Sequence, residues 1–101
     1  MILVTGSVTA RPETFEALLE ACLAHVRRSR AEPGCISHDV HVDCENPMKL
    51  VFVERWADAA ALKTHFAVDA SVDFVRSARQ LAADSTEMAV YAAETLRLDE
   101  L

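Results

Sequence analysis

Apolar positions along this chain change their spacing at short polar or proline-containing breaks, and the spacing predicts a series of strands and helices. Met1 to Val8 is apolar and β-branched with one glycine, which reads as a strand. Pro12 and Glu13 then supply a helix start, with proline in the first turn and an acid at the positive end of the dipole. Phe15, Leu18, Leu19, Cys22, Leu23 and Val26 recur at i, i+3, i+4, i+7, i+8 and i+11, one helical stripe. Arg27, Arg28 and Arg30 suit the carbonyl end of that helix, and Glu32-Pro33-Gly34 stops it. Cys35 to Val42 and Lys49 to Trp56 read as two strands, and the polar connection containing Asn46-Pro47 predicts an antiparallel hairpin. Asp58 is a natural N-cap for a helix running through Leu62 to Phe66. A further helical segment from about Ala70 to Ala82 places Phe74, Ala78 and Leu81 on one side. Thr86 to Leu96 alternates weakly and is expected as a fourth strand, with Leu98 to Leu101 a loose or partner-contacting tail.

The order is βαββαβ, an α+β ferredoxin-like arrangement with a four-stranded antiparallel sheet and helices on one face. A bare second face would show polar residues at every other strand position. Instead the third strand carries Leu50, Phe52 and Trp56 on one side and Val51 and Val53 on the other. Two-sided apolar character predicts that both faces are covered, the second by another copy of the sheet. A homodimer through the sheet face is therefore expected, with Arg55 on that face as a candidate for an ion pair across it.

Composition sharpens this picture. The 101 residues suit one domain spanning 1–101, and 51% hydrophobic against 26% charged residues argue for a folded chain. Alanine supplies 17 of the 52 hydrophobic positions and aromatics only 6% of the chain, so the apolar content is made of small side chains. A net charge of −6 disfavours nucleic-acid binding. No apolar run approaches the roughly 20 residues of a membrane span, and the N-terminus has no basic segment before its short apolar run, so the expected location is cytoplasmic. Three cysteines, Cys22, Cys35 and Cys44, do not suggest a disulfide framework.

Histidines are the obvious places to look for chemistry. His38 and His41 lie with Cys35 and Cys44 inside ten positions, but His38 and His41 are three apart and point to opposite faces of a strand. Cys44 sits in the loop, and zinc sites favour tighter paired spacings, so no metal is expected from this group. Cys35 reads as a small core residue and Cys44 as an exposed thiol. His25, among Arg27 and Arg28, reads as a solvent-facing histidine at a helix end. His65 shares a helical face with Leu62 and Phe66; it is either a core or rim residue or a general acid/base lining a pocket. His38 falls on the more apolar side of its strand and carries the same two readings. Glu54 shares a face with Phe52 and Trp56, where a carboxylate is costly to bury unless paired, so it either bonds a partner or lines a wet pocket. Trp56, the only tryptophan, is packing or a pocket wall. No nucleophile elbow accompanies the serines Ser7, Ser71, Ser77 and Ser85. Two glycines cannot make a phosphate loop, and RNA-stacking aromatics with basic neighbours are missing.

Glu32-Pro33-Gly34-Cys35, the hairpin from Val40-His41-Val42-Asp43 to Asn46-Pro47, Val51-Phe52-Val53-Glu54-Arg55-Trp56, and Ala61-Leu62 with His65 together resemble the antibiotic biosynthesis monooxygenase (ABM) domain family, across essentially the whole chain. The resemblance implies a dimeric α/β barrel. It also implies oxygenation of a phenolic, quinol or polycyclic aromatic molecule by O₂, with no metal, flavin or other cofactor. It places Trp56, His65 and Phe66 at family pocket positions, with Glu54 beside them and the pocket on the sheet side that carries Phe52 and Trp56; His65 would be the base and these others substrate contacts, joined by His38 on the strand reading above. The haem-degrading branch has a polar amide in strand one and a histidine on the later helix. Here Thr5, Gly6 and Ser7 occupy that strand region and 70–82 holds no histidine, so haem ligation is not expected. A second branch isomerises a phosphorylated sugar-derived signal, for which Arg76 and Arg79 are the available cations. An acid/base isomerase and a non-catalytic small-molecule-binding dimer are the alternatives to the oxygenase.

Overall fold

A computed structural model describes residues 1–84 and 86–101; Ser85, one of the serines without a motif, lies outside the described residues. The strands are β1 (Ile2–Thr9), β2 (Cys35–Asp43), β3 (Asn46–Trp56) and β4 (Glu87–Ala92), and the helices α1 (Phe15–Ser29), α2 (Ala59–Ala67) and α3 (Asp69–Leu81). Pro12–Thr14 forms a 3₁₀ turn ahead of α1, and Leu98–Glu100 another near the C-terminus. All strand pairs are antiparallel in the order β2-β3-β1-β4, which is the ferredoxin-like α+β arrangement expected from the pattern.

Each boundary has a local cause. Asp58 Oδ1 accepts the Ala61 N–H at 2.8 Å and starts α2. Val68 is extended (φ −68°, ψ 141°), so the helical stretch after Asp58 is two helices with a break. Gly34 has φ +82°, the left-handed conformation that ends the turn after α1. β4 is shorter than the Thr86–Leu96 span that alternation predicted. Its partner β1 runs out: the last pair is Ile2↔Ala92, and beyond it the Met1 amine donates to Ala93 O at 3.0 Å.

The register puts Ile2, Val4, Gly6 and Val8 of β1 on the same face as Leu50, Phe52, Glu54 and Trp56 of β3. This is the helix-covered face. One apolar cluster joins Val8, Leu50 and Phe52 to Leu18, Cys22 and Val26 of α1 and Ala78 of α3. A second joins Val4 and Trp56 to Leu62 of α2, with Ile2, Cys35 and Ala61 packed against it. Along β3 the first cluster ends at Phe52 and the second begins at Trp56, so Glu54 stands between two apolar masses. The opposite face presents Val51, Val53, Arg55, Ala89 and Tyr91 by the same register, and among the described residues no helix lies over it. Among the described residues no helix is long and apolar enough to cross a membrane.

Candidate active site

Three short motifs that lie far apart in the sequence meet at one place. The Glu32-Pro33-Gly34 turn folds back over α2: Ala57 N–H donates to Gly34 O at 2.8 Å, and a Cβ on Gly34 would stand 2.5 Å from the Ala61 Cβ. Only a residue with no side chain lets the turn sit this close. The contact carries the Glu32 carboxylate onto His65, whose Nδ1 lies 3.0 Å from Oε1 and 3.1 Å from Oε2. The His65 side chain is 3% exposed and that of Glu32 17%. An Nδ1–H donated to the carboxylate leaves Nε2 as the nitrogen with a lone pair.

Glu54 and His38 face each other in register across β3 and β2. His38 Nε2 is 3.2 Å from Glu54 Oε1, and the same oxygen accepts the Trp56 Nε1–H at 3.0 Å. Burial alone pushes the Glu54 carboxyl up, but His38, the Trp56 N–H and His65 more than offset it and hold the group below the usual carboxylate range. Glu54 is thus a paired buried acid.

His25 corrects the expectation of a solvent-facing residue. It is 5% exposed and stacks on Phe74 of α3, ring centroids 4.0 Å apart and planes 6° from parallel. The physical reason lies in the helix period: His25 is seven positions from Leu18 and three from Cys22, and the buried face of α1 is Leu18, Cys22, His25, Val26 and Ser29. Its Nδ1 accepts from Arg28 Nη2. Burial, with His38, His65 and Arg28 as like-charge neighbours, pushes it down to about 3, so the ring is neutral. His25, His38 and His65 form a nearly equilateral group with centroids 5.2, 5.2 and 5.4 Å apart.

A cavity of about 790 Å³ opens beside this group, between the helix-covered face of the sheet and α3. Val4, Gly6 and Val8 of β1 form its floor with Phe52 and Glu54 of β3. His65 and Phe66 close one end, Phe74, Val75 and Ala78 form the opposite wall, and Arg76 and Arg79 also line it. Most of the lining is apolar, the character of a small-molecule site. Of the histidines and pocket candidates singled out in the sequence, His65, Phe66, Phe52 and Glu54 line the cavity, and so does His25. Trp56 and His38 do not. Both are completely enclosed and stand behind the wall, with the Trp56 ring 4.6 Å from His65. From there Trp56 packs on His65 and His38 faces Glu54. Cys35 packs at the edge of the second cluster, Cys44 is exposed, and all three cysteines are free.

A family model described as "Antibiotic biosynthesis monooxygenase" matches residues 1–77. The chain belongs to this family. The ABM match spans β1 through most of α3 and includes His25, Glu32, His38, Glu54, Trp56, His65 and Phe66. The chain is 33% identical over 90 residues to the Synechocystis "Uncharacterized protein sll1783", an alignment covering 89% of this chain and 61% of that protein. The chain therefore spans under two thirds of that relative's length. It is 30% identical over 81 residues to the Bacillus subtilis protein named "Putative monooxygenase YcnE", covering 80% and 85%. The crystal structure of an antibiotic biosynthesis monooxygenase superimposes with a TM-score of 0.86 at 27% identity, covering 94% of this chain and 100% of the other.

Proposed function

We propose that this ABM-family protein is a cofactor-independent monooxygenase acting on a phenolic, quinol or polycyclic aromatic molecule, with His65 as the base. The observation that carries the reading is the Glu32 carboxylate on Nδ1 of a histidine in the wall of a mostly apolar cavity. Triplet O₂ reacts slowly with closed-shell organic molecules, so the substrate must first become an electron-rich anion. In an anthrone-type substrate His65 Nε2 takes the acidic proton, and Glu32 stabilises the imidazolium. The anion passes one electron to O₂, the radical pair combines to a peroxide, and loss of water leaves a quinone: one oxygen atom enters the substrate and the other departs as water. Apolar walls from Phe52, Phe66 and Phe74 keep solvent from the radical pair.

The rest of the reading follows from the same family and fold. The bare sheet face carrying Val51, Val53 and Tyr91 is covered by a second copy, giving a homodimer; sedimentation as a compact monomer at micromolar concentration counts against it. Three free cysteines suit a cytoplasmic protein. A second reading, an acid/base isomerase, is favoured by one observation: Arg76 and Arg79 both line the cavity, where they would hold an anionic substituent.

The test is oxygen uptake by chelator-treated protein with anthrone-type and hydroquinone substrates. Uptake with one O₂ consumed per product, reduced about 10²- to 10⁴-fold in His65→Ala, is expected for a general base. Activity that survives His65→Ala removes the histidine mechanism. Product formed without oxygen selects the isomerase, and tight aromatic binding with no turnover selects a binding protein.

A further inference from the structure

We infer that His25, His38 and His65 form a three-histidine site for a divalent transition-metal ion of the zinc class, reached through the cavity. Each ring offers one nitrogen, and these atoms lie within 4.8 Å of one another. With metal–nitrogen bonds of about 2.0–2.1 Å and a tetrahedral angle, three imidazoles around one ion have ring centroids about 5 Å apart. The observed separations are 5.2, 5.2 and 5.4 Å. His38 supplies an independent observation: it is 0% exposed, yet neither ring nitrogen has a hydrogen-bond partner; Nε2 has the 3.2 Å approach to Glu54 Oε1, and Nδ1 has nothing. An enclosed polar atom left unsatisfied is costly and points to a missing ligand. Coordination through Nδ1 satisfies it and leaves Nε2 beside Glu54.

The surrounding groups suit a cation of this type. Glu32 on Nδ1 of His65 is the carboxylate–histidine arrangement that orients a metal-binding Nε2. Glu32 and Glu54 together provide two negative charges near the triad. Neutral nitrogen donors favour a zinc-class ion over magnesium or calcium, which require oxygen. His25 and His65 line the cavity, giving the ion an entry path. One contact must yield. Arg28 Nη2 now donates to His25 Nδ1, and coordination through either nitrogen displaces it. Nδ1 would give its lone pair to the ion, whereas ligation through Nε2 puts the ring's one proton on Nδ1. An ion on His65 Nε2 also removes the base of the proposed oxygenase, so occupancy and turnover exclude each other. The inference stands apart from that reading, because it is read by binding.

The test uses the whole chain, stripped with a chelator and shown folded by circular dichroism. Zn²⁺ calorimetry is expected to give one ion per chain with a raised Tm. Co²⁺ is expected to give the visible bands of a tetrahedral nitrogen site without a thiolate charge-transfer band. Removing the carboxylate partner with Glu32→Gln weakens binding about 10- to 100-fold. His25→Gln weakens it by at least as much, Arg28→Met tightens it, and His41→Gln leaves it unchanged. His38 is enclosed, so Arg28→Met probes the same triad if a His38→Gln chain does not fold. Absence of binding by the folded protein at millimolar Zn²⁺, affinity indifferent to both His25→Gln and Arg28→Met, loss in His41→Gln, or a thiolate band would each overturn the site. Failure of oxygen uptake would leave this result untouched.

Discussion

Glu32 and His65 are 33 residues apart in the chain, yet both carboxylate oxygens of Glu32 lie within 3.1 Å of the His65 Nδ1. A helix-terminating turn and the seventh residue of α2 are locked together by a glycine with no Cβ to obstruct them. The carboxylate fixes the ring orientation and, by accepting the Nδ1–H, leaves the lone pair on Nε2.

Glu32→Gln therefore tests catalysis without emptying the site. The amide oxygen still accepts the Nδ1–H, so the ring stays in place while the negative charge is lost. In steady-state oxygen uptake, kcat is expected to fall by about ten- to a thousandfold, with KM changing by less than about threefold. A fall in substrate affinity alone would instead make Glu32 a binding residue. Glu32→Ala, which removes the hydrogen bond as well, should be the slower variant of the two.

Much of this arrangement was legible in the sequence, and the gaps have specific causes. Strand parity placed Phe52, Glu54 and Trp56 on one face, and helical spacing put His65 with Leu62. Parity reports a face but not a depth, so it could not distinguish Phe52 in the cavity wall from Trp56 behind it. Glu32 read as part of a helix stop, because its meeting with His65 depends on the fold returning α2 to the end of α1. His25 was hidden by its arginine neighbours, although the interval of seven from Leu18 was a usable signal. The three histidines come from α1, β2 and α2, and no local spacing announces a group assembled from three elements.

His25 predicts how stability responds to acid. Its folded-state value of about 3 lies below the ordinary 6.5, so the unfolded chain takes up a proton that the folded chain refuses. The contribution is present above about pH 6.5 and is lost as pH falls from there toward 3. Between pH 7 and pH 5 the loss from this residue is about 2 kcal/mol. Urea unfolding in the presence of chelator, followed at both pH values, should show it. His25→Gln, which keeps a neutral polar side chain against Phe74 and Arg28, should flatten the change over that window. Glu54 adds its own loss at lower pH, because its folded value is depressed and its stabilisation disappears as the carboxyl is protonated.

Gly34→Ala probes the turn that delivers Glu32. Alanine at φ +82° is strained by about 1–2 kcal/mol, and its Cβ would meet the Ala61 Cβ at 2.5 Å. A total loss of about 2–4 kcal/mol in chemical denaturation is expected, with a loss of activity as Glu32 is pushed off His65. Adding Ala61→Gly removes the steric part and leaves the backbone part. The double-mutant cycle should then show a coupling of about 1 kcal/mol or more; additive effects would mean the turn and α2 do not constrain each other.

The cysteines give a test of the core that needs no substrate. Cys22 lies at 0% exposure between α1 and the sheet, and burial pushes its thiol up to about 12. Cys35 is half-buried and also raised, by burial first and then by the Glu32 and Glu54 carboxylates. Cys44 is exposed on the β2–β3 turn. Because the thiolate is the reactive form, a disulfide reagent at pH 8 should modify Cys44 within seconds and Cys35 slowly. Cys22 should react only as the chain unfolds, so its rate should rise with denaturant in parallel with global unfolding. Reaction of Cys22 at the rate of Cys44 in the native protein would show that α1 separates from the sheet far more readily than this packing allows.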